Sequence, residues 1–182
     1  MKKHSRAHSL VGSNPEGRPR DDFYRTPEKA TKALLSVETF SGSIWEPACG
    51  DGAISEVLIA AGHDVYSSDL IGRGYGEPRH DFLLTNHRAD NIITNPPYKF
   101  ANEFIERALM LTTGKVAMLL KLNALGGMER RRIFDTSPFK GVYVFSGRLS
   151  MMRDGTEGAG MIEFAWFVWE HGYEGRPTIG WL

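Results

Sequence analysis

The chain has 182 residues, 41% of them hydrophobic and 24% charged, with a formal net charge of zero. That length suits one domain able to bury a core without staples, and the balanced charge excludes a polycation that coats nucleic acid indiscriminately. A single cysteine, Cys49, excludes an intrachain disulfide and a zinc site built on several thiolates. No apolar run approaches the roughly 20 residues a bilayer span needs, and the N-terminus lacks a hydrophobic signal segment. A cytoplasmic location with no membrane partner is expected.

Residues 1–20, "MKKHSRAHSLVGSNPEGRPR", hold five Lys/Arg against one Glu, interspersed with Gly, Ser, Asn and Pro. This predicts a disordered basic arm, limited to weak, salt-sensitive contact with phosphates. A single domain is expected over 21–182.

In chain order, Thr26-Pro27-Glu28 is a helix start signal, and Ala30, Ala33, Leu34 and Val37 follow at helical spacing. "SIWEPA" reads as a strand stopping at Pro47. A glycine-rich turn then feeds a helix from about Ala53, closed by Gly62. "HDVYSSD" is a second strand, ending at Asp69, and a Gly/Pro-rich loop leads to Asp81-Phe82. "NIIT" is a strand, "ANEFIERALML" a helix with Phe104, Ile105, Ala108 and Leu109 on one face, and "KVAMLLKL" a buried parallel strand. "MERRRIFDT" reads as a helix, "GVYVFSG" as a strand, and "MIEFAWFVWE" as an antiparallel strand inserted at a sheet edge. This alternation predicts an α/β fold with a parallel sheet and helices on both faces.

"WEPACGDG", Trp45 to Gly52, places Gly50 and Gly52 between a strand and a helix N-terminus. Glycines there let a nucleotide-like ligand approach the backbone. The acids Glu46 and Asp51 flank the turn; they would repel a pyrophosphate and suit a ligand with a cationic amino-acid end. Asp69 ends the second strand about 20 residues on, where a carboxylate reaches ribose hydroxyls. Asp81 and Phe82 offer an acceptor and a ring for an adenine. S-adenosylmethionine meets all of these demands.

"NIITNPPYKF", residues 91–100, ends a core strand in a stiff corner. Pro96 and Pro97 fix φ and remove two N–H donors. The Asn95 side-chain oxygen and the Pro96 carbonyl can then accept both hydrogens of an exocyclic amine, and Tyr98 offers a flat face for an extruded base.

"NPPY" following "EPACGDG" resembles the amino-methyltransferase family, which methylates the N6 of adenine, the N4 of cytosine or a glutamine amide from S-adenosylmethionine. From Asp21 onward the chain is similar to small DNA N6-adenine methyltransferases of phages and prophages. "DDFYRTP" resembles the segment that closes over the methionine end of the cofactor, and "FSGRLSM" a late motif lining the target-base pocket. The fold implied is a Rossmann-like class I methyltransferase with a mostly parallel seven-stranded sheet, helices on both faces and an antiparallel C-terminal strand. The resemblance implies that Tyr24, Thr26 and Pro27 line the methionine end. Glu46, Ala48, Gly50 and Asp51 would hold the amino-acid and sugar portion, Asp69 the ribose, and Asp81 with Phe82 the adenine. Asn95, Pro96, Pro97 and Tyr98 would be the catalytic corner.

The expected partner is nucleic acid, foremost DNA. The chain lacks the long target-recognition region that sequence-reading members carry, so short or relaxed specificity is expected, or a homodimer that helps to hold the duplex. Arg148 and Arg153, beside the pocket entrance, are the candidate phosphate contacts. Consecutive Arg130, Arg131 and Arg132 read as a solvated helix surface, Trp166 and Trp169 as core aromatics, and Cys49 as a small packing residue. The six histidines show no metal spacing, and no metal is expected. RNA adenine, DNA cytosine-N4 and protein glutamine methylation, or a silent cofactor-binding subunit, stay open as alternatives.

Overall fold

The computed structural model describes residues 23–147 and 162–182, with 149, 151 and the backbone of 152–153 and 156–157 between them. The basic arm, the first two residues of the expected domain and Arg148 lie outside the described residues, as does the Arg153 side chain.

Strands β1 (Ile44–Glu46), β2 (Val65–Asp69), β3 (Glu77–Pro78), β4 (Asn91–Thr94), β5 (Lys115–Lys121), β6 (Phe139–Val144), β9 (Phe164–Glu170) and β10 (Thr178–Trp181) form one sheet. Its order is β10-β6-β9-β5-β4-β1-β2-β3. Between β6 and β9, β7 (Met152–Arg153) and β8 (Thr156–Glu157) make a separate antiparallel ribbon. Helices are α1 (Glu28–Val37), α2 (Ala53–Ala60), α3 (Ala101–Leu111) and α4 (Met128–Asp135).

Side-chain alternation along the strands builds two cores. Trp45, Ile92, Met118 and Phe167 point to one face, where Phe104, Ile105 and Ala108 of α3 and Ile133 of α4 cover them. Their neighbours Ile44, Ile93, Ala117, Leu119 and Trp166 point to the other, against Ala30 and Leu34 of α1 and Ile54 and Leu58 of α2. Both faces of β4 and β5 are therefore buried, which is why β5 carries a continuous apolar run from Val116 to Leu120 rather than an alternating one.

β9 is the one antiparallel member of the eight strands, pairing with β5 and β6 on its two sides. It lies inside the sheet rather than at its edge as the sequence suggested; six consecutive residues, Phe164 to Trp169, are buried. The last strand of the chain is instead β10, parallel to β6 at the edge. With it the sheet has eight strands rather than seven. Trp166 and Trp169 are fully buried, their indole N–H groups donating to the Ala30 carbonyl and the Ser137 hydroxyl. Arg130, Arg131 and Arg132 bond Asn102, Asp135 and Glu106 respectively. No helix among the described residues is long and apolar enough to cross a membrane.

The parallel strands β1, β2 and β4 all end at the same sheet edge, in register, with Glu46 opposite Ser67 and Trp45 opposite Ile92. That edge carries Glu46, Asp69 and Asn95. At the opposite edge, Lys115 at the start of β5 meets Glu38 at 2.6 Å, just after α1.

Candidate active site

A cavity of about 620 Å³ opens at the carboxyl edge. Ligands bind at this edge in open α/β sheets because loops diverge there and helix N-termini point inward. Of the residues singled out from the sequence, Tyr24, Thr26, Glu46, Ala48, Asp51, Asp69, Asp81, Phe82, Asn95 and Pro97 line it. Pro27, Gly50, Pro96 and Tyr98 are not among its lining residues. Pro27 occupies the cap position of α1.

The turn after β1 needs its glycines. Gly50 (φ 57°) and Gly52 (φ 88°) lie in the left-handed region. A Cβ on Gly50 would also meet the Phe23 ring at 2.3 Å, and one on Gly52 the Tyr75 ring at 2.5 Å. The turn is thus wedged between two aromatic rings. The Gly50 N–H donates to Asp69 Oδ2 at 2.8 Å, and the Ile71 N–H to Asp69 Oδ1 at 2.8 Å. The carboxylate ending β2 therefore stands fixed against the turn ending β1.

Glu46 is buried, and its Oε2 accepts from the Ser55 N–H at 2.8 Å and from the Ser55 hydroxyl. Burial pushes its carboxyl well above the ordinary range; the Ser55 bonds oppose this, and the nearby Asp69 and Asp51 charges add to it. Burial and the charges of Glu46 and Asp69 likewise push the Cys49 thiol up to about 12. Cys49, part of the turn and of the cavity wall, is only 4% exposed, as a small packing residue would be. A positive group placed here would relieve this crowding of negative charge.

The segment Phe23 to Thr26 forms a strap between the turn and the corner. Arg25 Nε pairs with Asp51 Oδ2 at 2.9 Å, and Arg73 lies 4.5 Å over the Phe23 ring. The strap reaches the NPPY corner as well. Asn95 Nδ2 donates to the Tyr24 carbonyl and to Thr26 Oγ1, both at 3.1 Å. Asn95 Oδ1 is buried and accepts no hydrogen bond within the described residues. Beyond it, the Phe100 N–H donates to the Pro97 carbonyl at 2.9 Å and starts a 3₁₀ turn, Tyr98–Phe100, that leads into α3.

Tyr98 is half-buried where the two cores meet. Its ring centroid lies 5.8 Å from that of Tyr24 and 5.9 Å from that of Phe164, with Lys121 Nζ 4.8 Å over the ring. Phe82 is buried too, its ring 5.1 Å from Trp45 and 4.7 Å from Phe104. Asp81 Oδ1 accepts from the Leu83 N–H at 3.0 Å.

Several lining residues escaped the sequence reading. Arg25 and Phe23 belong to the quoted "DDFYRTP" segment, but nothing in their types announced a clasp on the turn. His80 lines the cavity, its Nδ1 lying 3.1 Å from the Tyr66 hydroxyl. Its Nε2 is buried and unpaired within the described residues. A lone histidine in a Gly/Pro-rich loop carries no such signal in the sequence. Among the described residues no group of three or more His, Cys, Asp or Glu is placed to hold a metal ion.

No protein-family model and no curated protein matches the chain. Solved structures do match. A candidate RNA methyltransferase from Pyrococcus horikoshii aligns with a TM-score of 0.67 at 16% identity, over 85% of this chain and 90% of that one. A candidate O-methyltransferase from Agrobacterium tumefaciens aligns at 0.58 and 14% identity, over 85% of each chain. The magnesium protoporphyrin IX methyltransferase of Synechocystis PCC 6803, solved with bound SAM, aligns at 0.55 and 15% identity, over 80% and 79%. The chain has the Rossmann-like methyltransferase fold. In that methyltransferase fold the cavity, the fixed Asp69 and the NPPY corner occupy one sheet edge.

Proposed function

We propose that this protein transfers a methyl group from S-adenosylmethionine to the exocyclic N6 of adenine in DNA, with short or relaxed sequence specificity. The single observation that carries the reading is the Asn95 side chain at the cavity wall. Both hydrogens of its Nδ2 are engaged by the strap, while its Oδ1 is buried without a partner among the described residues.

The cavity residues fit the cofactor. Glu46, Asp51 and Asp69 gather negative charge at the glycine turn, and Asp51 Oδ1 is buried without a partner among the described residues. Glu46 and Asp51 would hold the amino-acid end, Asp69 the ribose, and Asp81 with Phe82 the adenine. When bound there, S-adenosylmethionine supplies a methyl group already activated by its sulfonium. The protein's own part is then positioning and polarisation. Asn95 Oδ1 and the Pro96 carbonyl accept the two hydrogens of the target amine, which draws its lone pair out of conjugation with the ring. Pro96 and Pro97 keep the corner from yielding as those bonds form. Tyr98 supplies a ring for the extruded base, for which Lys121 would first have to leave the ring face.

RNA is the second acceptor to weigh, because the Pyrococcus horikoshii structure described as a candidate RNA methyltransferase covers 85% of this chain at a TM-score of 0.67. Tritiated-methyl transfer to DNA, RNA and protein, followed by nucleoside mass spectrometry, decides between them. N6-methyladenine in DNA, made by the wild type and absent with Asn95→Ala, is the expected result. Label in RNA or protein alone, or undiminished turnover by Asn95→Ala, overturns it. Tyr98→Ala should weaken nucleic-acid turnover by roughly 1–3 kcal/mol through lost stacking, and Tyr98→Phe much less.

A further inference from the structure

The sequence placed Thr26 with the methionine end of the cofactor. We propose that Thr26 is instead a positioning residue for the acceptor amide: with the Tyr24 carbonyl it locks Asn95 so that only Oδ1 is left to receive a target amine. This rests on the amine-transfer reading of the NPPY corner.

A carboxamide can present either its oxygen or its NH2 by a half-turn about one bond, at little intrinsic cost. Here the choice is forced. The Tyr24 carbonyl can only accept, so the atom of Asn95 facing it at 3.1 Å must be the donor, Nδ2. Turning the amide over would set two acceptor oxygens against each other. The second Nδ2 hydrogen goes to Thr26 Oγ1, also at 3.1 Å, and Thr26 is 3% exposed, so water cannot substitute for that hydroxyl. With both donors used, the amide has nothing left but acceptor capacity on Oδ1, and no partner within the described residues meets it. A buried, unpaired oxygen is disfavoured, and an incoming N–H relieves it.

The placement also joins two halves of the site. Thr26 lies one residue from Arg25, whose guanidinium holds Asp51 in the glycine turn at 2.9 Å. The strap that orients the amide is thus the strap that clasps the cofactor turn. A displacement of about 1 Å at a reacting centre can cost on the order of 100-fold in rate, so the side chain that fixes the amide should act on kcat.

The test compares Thr26→Val, which keeps the shape and deletes the acceptor, with Thr26→Ser, which keeps the hydroxyl. Methyl transfer is followed at saturating cofactor, and S-adenosylhomocysteine affinity is measured by calorimetry. The expected result is a fall in kcat of about ten- to hundredfold for Thr26→Val, with affinity unchanged and most of the rate restored by Thr26→Ser. An affinity loss matching the rate loss, or an unchanged kcat, overturns the proposal. A second measurement needs neither activity nor the valine variant. In the 15N-labelled wild type, the Asn95 side-chain NH2 pair, assigned by its absence in Asn95→Asp, should exchange slowly with solvent at both hydrogens. Fast exchange at either hydrogen sinks the lock. Should the wild type methylate nothing, the transfer reading fails while the exchange measurement still judges the lock.

Discussion

Asp69 Oδ2 accepts the Gly50 N–H at 2.8 Å, so the end of β2 and the turn after β1 are fixed to each other before any ligand arrives. The other carboxylate oxygen is held by the Ile71 N–H. Both lone-pair directions that remain can meet hydroxyls without the side chain having to reorganise. Asp69→Asn disturbs this in a defined way, because its NH2 must confront one of the two backbone N–H groups. The expected outcome is a stability loss of about 1–3 kcal/mol for the N–H left unpaired. S-adenosylhomocysteine binding should weaken by about tenfold or more, some 1.4 kcal/mol. Urea unfolding and calorimetry measure the two. Unchanged affinity would remove Asp69 from the cofactor site.

Glu46 predicts a pH dependence whose sign follows from burial. Its folded carboxyl titrates well above its ordinary value of 4.5, with burial the largest cause. The folded chain therefore keeps a proton that the unfolded chain releases, and stability falls as pH rises from about 4.5 toward the raised value. Glu46→Gln should flatten that slope in a series of thermal melts. A cationic ligand favours the ionised carboxylate, so its binding should release a proton, seen as a buffer-dependent enthalpy in calorimetry. A wild-type slope no different from that of Glu46→Gln would refute this.

Much of this arrangement was legible in the chain, and the rest failed for identifiable reasons. The helix at Ala101–Leu111 and the strand at Asn91–Thr94 were readable because local periodicity and a proline corner fix them without outside help. The place of β9 was not. Six consecutive buried residues announce burial on both faces, but which strands flank it is decided by pairings with β5 and β6 that lie far away in sequence. β10 is an exposed edge strand with Gly180 inside it, and β3 is two residues long, with Pro78 arguing against a strand on its own. At the site, glycines and acids were visible because their chemistry is unusual in a βα turn. Arg25 and His80 were not, because a lone arginine or histidine acquires meaning only from what the fold sets beside it.

Cys49 offers a chemical probe of the turn. Its thiol is buried and pushed up to about 12, burial being the main cause. At pH 8 only about one molecule in 10,000 carries the thiolate that alkylating reagents attack. Iodoacetamide should leave the folded protein unmodified over hours and label it fully in urea, as intact-mass spectrometry would report. Rapid labelling of the folded chain would mean that the turn opens far more readily than its packing implies.

The opposite sheet edge is held by a largely buried charge network. The Glu38 side chain is 1% exposed and meets Lys115 Nζ at 2.6 Å, Lys140 Nζ at 2.8 Å and the Tyr143 hydroxyl at 2.7 Å. Glu170 also pairs with Lys140, at 2.9 Å. Burial pushes the Glu38 carboxyl up, yet the hydrogen bonds from Lys115, Lys140 and Tyr143 outweigh it and hold the group below its ordinary value. Glu38→Gln leaves Glu170 as the one carboxylate among the described residues for both Lys115 and Lys140, and should cost on the order of 3 kcal/mol. Tyr143→Phe, which removes one hydrogen bond, should cost about 1 kcal/mol. The depressed carboxyl contributes its stability in full above its ordinary value of 4.5 and loses it as the pH falls through the folded value. The gap between wild type and Glu38→Gln should therefore be widest near neutrality and narrow in acid. Urea titrations at pH 7 and pH 4 would show it, and a gap that widens in acid would mean that Glu38 does not carry the charge assigned to it.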